Sequence, residues 1–299
     1  MTRSGTMTRR GALLLSALLL GCPSPPSADP PPGEEPPRAC NGLPALCDHP
    51  LDEVAFLRTH NSHASEERGY STLSWNHFEA MPTQLEDGVR AVNMDVYLYE
   101  GVMMVCHGFC ELGLQRFDLI LAELTDFLDD HPDEVVLLSL QNEAPWTETL
   151  ASLQDAGIDA RAWSHTPGDP WPTLGEMLDA GRPLLVSAGG GPADAPDWLH
   201  REGDLMWGDH WGAETPEDLD CELENPRFDG GLYFFNNVLT APIASPDLAE
   251  QVNPDLGERL AGCMAEHDRI PNVVSVDFYS IGDTVSAVRA LNEGTTFEP

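Results

Sequence analysis

Polar side chains able to transfer a proton or bind a cation occur where runs of apolar, strand-forming residues end. His60 and Asn61 follow the run 53–59, and Asn93 and Asp95 close the run 90–96. His107 follows 102–105, Gln141 and Asn142 follow 134–140, Asn236 ends 232–236 and Asn237 follows it, and Asp277 follows 273–276. An imidazole titrates near neutrality and can both take and give a proton. Carboxylate and amide oxygens are the ligands that hard divalent cations prefer. The set suits acid–base chemistry on a substrate whose charge must be neutralised. Each residue alone reads equally well as a hydrogen-bonded structural group. Their recurrence at one end of successive strands is what singles them out.

The elements that must position them alternate. Helical spacing predicts helices over 117–130, 146–156, 174–180, 246–252 and 256–267, and further strands are expected at 158–163, 183–187 and 232–236. About eight strands, mostly separated by helices, indicate parallel βα units. The expected fold is α/β, a single TIM-type (β/α)8 barrel of irregular form over residues 40–299, whose C-terminal rim gathers the polar set.

The chain opens with Arg3, Arg9 and Arg10, continues through the short apolar run 11–21 and reaches Cys22 directly after Leu-Leu-Gly. This is the layout of an export signal, too short to span a bilayer. It resembles a lipoprotein signal, in which 1–21 are removed and Cys22 takes the lipid. Residues 23–39 are Pro-rich and polar and are expected to form a stiff spacer. The expected location is the cell envelope, by a membrane anchor at Cys22. Pro23 rather than Asp after that Cys favours the outer membrane or cell surface.

The chain carries 15 basic residues, all Arg, against 50 acids, for a net charge of −35. A field of that sign repels nucleic acid and anionic lipid surfaces, which excludes a nucleic-acid partner. An anionic substrate would need local positive charge, from Arg or a metal ion. Six cysteines remain beyond Cys22, an even number that suits disulfides in an exported chain. Spacing favours Cys40–Cys47 and Cys106–Cys110, leaving Cys221–Cys263. The absence of paired Cys-x-x-Cys spacing argues against a cysteine metal site.

Five segments carry a resemblance: 57–62 (Leu-Arg-Thr-His-Asn-Ser), 84–95 (Gln-Leu-Glu-Asp-Gly-Val-Arg-Ala-Val-Asn-Met-Asp), 106–108 (Cys-His-Gly), 134–141 (Glu-Val-Val-Leu-Leu-Ser-Leu-Gln) and 271–279 (Pro-Asn-Val-Val-Ser-Val-Asp-Phe-Tyr). In this order they resemble the catalytic X-box superfamily of phosphatidylinositol-specific phospholipases C, in its secreted bacterial and fungal branch. The resemblance implies a phosphodiesterase of irregular TIM-barrel fold acting on a phosphoinositide-like diester, with a phospholipid or related phosphodiester as substrate. It implies His60 as general base, Asp277 as the acid that orients it, and His107 as general acid. Calcium-dependent relatives hold the ion through an Asn, a Glu-x-Asp pair and a Glu. The matching positions here are Asn61, Asn93, Asp95 and Gln141, so two expected carboxylates are amides. Affinity rises with ligand charge, and the expectation is a weak calcium or magnesium site or none, with Glu143 as a substitute ligand. Calcium-independent relatives place an Arg at the position of Asp95, and that Arg is absent.

Arg90, on the opposite face of its strand from Asn93 and Asp95, reads as structural and paired with an acid. The Cys106–Cys110 loop is expected to pin His107. Trp207, Trp211, Tyr233, Phe234, Phe235, Phe278 and Tyr279 are candidates for stacking on a sugar or inositol ring, though core packing is the commoner role. Asp209 and His210 suggest a polar rim loop. A monomer is expected. The alternatives are a non-catalytic surface lipoprotein that keeps the barrel for binding, and a glycerophosphodiesterase-like or sphingomyelinase D-like enzyme. Those enzymes carry a Glu-x-Asp metal pair, which Asn93 breaks.

Overall fold

The computed structural model describes, besides Met1, residues 37–209, 212–224, 231–240 and 243–294. The expected signal, Cys22, most of the spacer, His210 and Trp211 lie outside the described residues.

The chain runs β1 (Phe56–Thr59), α1 (Met81–Glu86), β2 (Ala91–Tyr99), β3 (Val102–Val105), β4 (Gln115–Arg116), α2 (Phe117–Asp130), β5 (Val136–Asn142), α3 (Trp146–Asp155), α4 (Ile158–Arg161) and α5 (Leu174–Asp179). It continues through β6 (Leu184–Ala188), β7 (Leu199–Arg201), α6 (Glu202–Leu205), β8 (Met206–Asp209), β9 (Leu223–Glu224), β10 (Leu232–Asn237), α7 (Pro246–Val252), α8 (Leu256–His267), β11 (Val273–Val276) and α9 (Thr284–Asn292). The strands β7-β6-β5-β2-β1-β11-β10-β8 are parallel throughout and form a curled half-barrel sheet. Among the described residues no ladder joins β7 to β8.

Two strand expectations are corrected. Residues 102–105 are a strand, but β3 pairs antiparallel with β2 as a hairpin outside the parallel set. The stretch 158–163 is not a strand: Gly157 turns left-handed (φ 71°) and starts the short helix α4, and Ala162 makes only an isolated bridge to Leu184. The short strands β7 and β8 take the two vacated places in the parallel sheet. β8 depends on Gly208, where a Cβ would lie 2.0 Å from the carbonyl oxygen of Phe234 on β10.

Alternation along the strands divides the side chains between two faces. Leu57, Val92, Met94, Leu138, Leu140, Val186, Val274 and Val276 pack outward with the apolar side of α2, which presents Phe117, Ile120, Leu121, Leu124, Phe127 and Leu128 at helical spacing. The inner face is layered. Its floor is apolar, with Phe56, Ala91, Leu137, Leu185, Phe234 and Val273 in one buried cluster. Two residues further along each strand the same face carries Arg58, Asn93, Ser139, Ser187, Asn236 and Ser275, all buried. Two residues further again come His60, Asp95, Gln141 and Asp277 at the C-terminal rim. The three disulfides are Cys40–Cys47, Cys106–Cys110 and Cys221–Cys263, as spacing favoured.

Candidate active site

The site begins with the turn that follows β1. Asn61 adopts a left-handed conformation (φ 50°), which Asn tolerates better than most side chains. The turn is locked from β2: Asn61 N–H donates to Asn93 Oδ1 at 3.1 Å, Ser62 N–H to Asn93 O at 2.9 Å, and Asn93 N–H to Ser62 Oγ at 2.9 Å. The hydroxyls of Thr59 and Ser62 lie 2.6 Å apart. The Thr-His-Asn-Ser run is thus a small hydrogen-bonded unit that aims His60 across the rim.

His60 Nδ1 donates to Asp277 Oδ1 at 3.1 Å. A carboxylate only accepts, so this bond places the proton on Nδ1 and leaves Nε2 basic. Asn61 Nδ2 lies 3.3 Å from that Nε2. Burial alone would raise the Asp277 carboxyl. The charge and hydrogen bond of His60, with help from His77 and Asn76, outweigh burial and hold it below the usual carboxylate range. The His107 ring stands 6.3 Å from that of His60, centroid to centroid, at 71°. His107 Nδ1 donates to the carbonyl of Ser74 at 3.1 Å, which places that proton on Nδ1 and makes Nε2 the basic position. Burial and the proximity of His60 lower the proton affinity of His107. Two imidazoles therefore present Nε2 atoms within reach of one small group, each held at Nδ1 by an acceptor.

Asp95 is 3 % exposed, and burial pushes its carboxyl up to about 6 although His60 and Arg58 pull it down. Its Oδ1, like Asn61 Oδ1, is a buried oxygen with no hydrogen-bond partner. Asp95 has its second carboxylate oxygen besides, and Glu143 is near enough for its charge to raise the Asp95 carboxyl further but is exposed. Asn93 Oδ1 is occupied by the Asn61 N–H, and Gln141, in register with Asp95, is exposed. Among the described residues no three His, Cys, Asp or Glu side chains converge on a metal position. One buried carboxylate and one buried amide oxygen, with Gln141 and Glu143 turned to solvent, fall short of a cation that takes six to eight oxygens and binds in proportion to their charge.

The structure thus brings together His60, His107, Asp277, Asn61, Asn93 and Asp95, and leaves Gln141 at the solvent side. Arg90 pairs with Glu134 at 2.6 Å away from the rim, as its strand face predicts. Asn142 accepts from Thr149 and donates to Ala144 O, a local structural role. Trp207, Tyr233, Phe234, Phe235, Phe278 and Tyr279 are buried core residues, and Asp209 is a buried partner of the Tyr233 hydroxyl.

Sequence reasoning missed Arg58, Ser74, Asn76 and His77. Arg58 crosses the inside of the curled sheet, donating to Ser275 Oγ on β11 at 3.0 Å and to Ser139 Oγ on β5 at 3.2 Å. It lies one layer below the rim; burial lowers its proton affinity, while the charges of Glu202, Asp95 and Asp277 favour the cation. A charged residue two positions before His60, hence on the same face, was the available signal.

The PI-PLC X family model, described as PI-PLC X 1, matches residues 46–292. A PI-PLC X domain-containing protein of Arthroderma benhamiae is 28 % identical over 281 residues, covering 85 % of this chain and 89 % of the relative. An uncharacterized secreted protein of the same fungus and a PI-PLC X domain-containing protein of Arabidopsis thaliana are each 24 % identical, covering 84 % and 78 % of this chain. The chain spans 62 % and 60 % of their lengths. Among solved structures, the phosphatidylinositol-specific phospholipase C of Listeria monocytogenes superposes with a TM-score of 0.59 at 13 % identity, covering 86 % of this chain and 97 % of that one. A Staphylococcus aureus phosphatidylinositol-specific phospholipase C does so at 0.58 and 14 %, covering 82 % and 94 %. These likenesses carry the barrel fold. With the match over residues 46–292, the chain belongs to the PI-PLC X domain family.

Proposed function

We propose that the protein is a phosphodiesterase that cleaves a phosphoinositide-like diester by paired histidine catalysis. The observation that carries this reading is the pair of imidazoles 6.3 Å apart on the rim, with His60 backed by Asp277 at 3.1 Å. In the reaction His60 Nε2 takes the proton of a head-group hydroxyl next to the phosphate. That oxygen bonds to phosphorus, the bond to the lipid-side oxygen breaks, and the departing oxygen takes the proton from His107 Nε2. The products are a cyclic phosphate and an alcohol. Asp277 keeps the His60 proton on Nδ1 and stabilises the imidazolium that forms. The positive charge facing the phosphate comes from the imidazolium and, from below, the Arg58 guanidinium, rather than from calcium or magnesium.

The same reading has the chain exported and tethered to the envelope through a lipid on Cys22. The arginine-led apolar start and Cys22 support this, as does a relative named a secreted protein. The test is turnover of a chromogenic inositol phosphodiester by the purified protein, with calcium or with EDTA, beside His60→Ala and His107→Ala. The expected result is turnover insensitive to EDTA and lost by about 100-fold or more in each variant. A folded wild type inert on several phosphodiesters would instead favour a binding domain disabled by the amides at Asn93 and Gln141.

A further inference from the structure

Residues 74–77 lie in the long connection between β1 and α1 and belong to no regular element. This short stretch nevertheless reaches all three residues read above as the acid–base machinery. The carbonyl of Ser74 accepts the Nδ1 proton of His107 at 3.1 Å. Asn76 Nδ2 donates to Asp277 Oδ1 at 2.9 Å, and the Asn76 carbonyl accepts the N–H of Phe278 at 2.7 Å. His77 Nε2 donates to the carbonyl of His60 at 2.7 Å. Burial holds the His77 ring neutral, down at about 4, as a fixed donor.

The stretch is itself anchored at both ends. The N–H groups of Asn76 and His77 both point to the carbonyl of Ala64, at 2.7 and 3.2 Å. Trp75 packs edge-on against Phe78 and Phe278, each 5.4 Å away. Ser71 N–H and Ser74 Oγ both donate to Leu112 O, beside the loop that the Cys106–Cys110 disulfide closes. Ser74, Asn76 and His77 are buried.

Resting on that reading of His60, Asp277 and His107, we propose that residues 74–77 are a positioning strap, with Asn76 its principal side chain, that fixes both histidine tautomers and the separation of the rings. The physical argument is one of constraint. A carboxylate held only by His60 can turn about its last torsion, whereas one that also accepts from Asn76 presents Oδ1 in one direction. A carbonyl at His107 Nδ1 forces the tautomer whose Nε2 faces the substrate. Because the contacts come from neighbouring residues of one anchored piece, the base and the acid are set relative to each other as well as each to its own strand.

The test has one arm on activity and one that needs none. Asn76→Ala should lower kcat by about 10- to 100-fold with KM within about twofold, since the bond lost is to a charged group that orients rather than binds. A folded Asn76→Ala with wild-type kcat, or with its loss confined to KM, overturns the proposal. Histidine-selective 15N NMR of the wild-type protein should show His60 and His107 as Nδ1–H tautomers and His77 as the Nε2–H tautomer. Any of the three found in the other tautomer overturns it, whether or not Asn76→Ala folds. The arms also separate this proposal from the function it rests on. Wild type inert on phosphodiesters but with these tautomers sinks the function and keeps the strap. Active wild type with an unaffected Asn76→Ala does the reverse.

Discussion

Replacing Asp95 with Asn removes a buried charge while keeping the side chain's shape, and the size of the effect follows from the structure. Asp95 is 3 % exposed with a partnerless Oδ1, and burial moves its carboxyl from 3.8 up to about 6. The difference is roughly two units at about 1.4 kcal/mol each, so the ionised carboxylate costs the folded state about 3 kcal/mol well above pH 6. The sign follows from the direction of the shift. A raised folded-state value favours the fold fully below the unfolded value, and that contribution is lost as pH rises through the folded one, here across about pH 4 to 6. Asn has no such dependence. Asp95→Asn should therefore be more stable than wild type by about 1–3 kcal/mol near pH 7.5, the lower figure allowing for an amide N–H left without a partner. The gap should shrink by about 2 kcal/mol near pH 4.5. The assay is denaturant unfolding of both proteins at the two pH values. A variant less stable than wild type near pH 7.5, or a gap that ignores pH, would refute the reasoning.

Three further outcomes are expected. In the proposed mechanism His107 must carry the proton it donates, and burial with His60 lowers its affinity for that proton, so kcat/KM should fall as pH rises through a value below the ordinary 6.5. A plateau extending well above neutrality in the pH–rate profile would contradict its role. Asn93→Glu combined with Gln141→Glu supplies the missing carboxylates and should gain a calcium-dependent rise in Tm that wild type lacks; a comparable rise in wild type would show that the amides bind the ion after all. Replacing Cys106 and Cys110 together with Ser should leave a cooperative melt but lower kcat severalfold, since the loop carrying His107 then loses its covalent closure and is held by hydrogen bonds alone. Unchanged kcat would remove the disulfide from the account.

The rim was readable in advance because it obeys a simple period. Residues 93 and 95 alternate with Val92, Met94 and Val96, which pack outward, and 60 and 277 directly follow apolar runs, so strand ends and inward faces can be counted from the chain. His60, Asp277 and Asp95 fell out of that count. His107 was found for a partly wrong reason: it ends an antiparallel hairpin on β2, not a parallel barrel strand. The short strands β7 and β8 escaped notice because three or four residues set among Gly and Asp carry too little pattern, and their register is imposed by neighbours such as Phe234 over Gly208. Asn76 and His77 had no signal at all. They sit in an irregular connection, and what makes them matter is a return of the chain onto Asp277, about two hundred residues away in sequence.

Arg58 was hidden by a different bias. A charged residue in a strand is ordinarily read as an edge or a solvent face, since burying an ion is expensive. Here burial does lower the proton affinity of the guanidinium, but the inner layer supplies Ser275 and Ser139 as hydrogen-bond acceptors and the charges of Glu202, Asp95 and Asp277 favour the cation. The overall charge explains why such a placement is useful. With a net charge of −35 and no lysine, the surface repels an approaching phosphate. Exposed arginines are partly spent in pairs such as Arg116–Asp118 and Arg161–Asp129, and solvent screens what remains. A buried guanidinium is screened far less by solvent and salt. The Asp95 carboxylate offsets its charge when ionised.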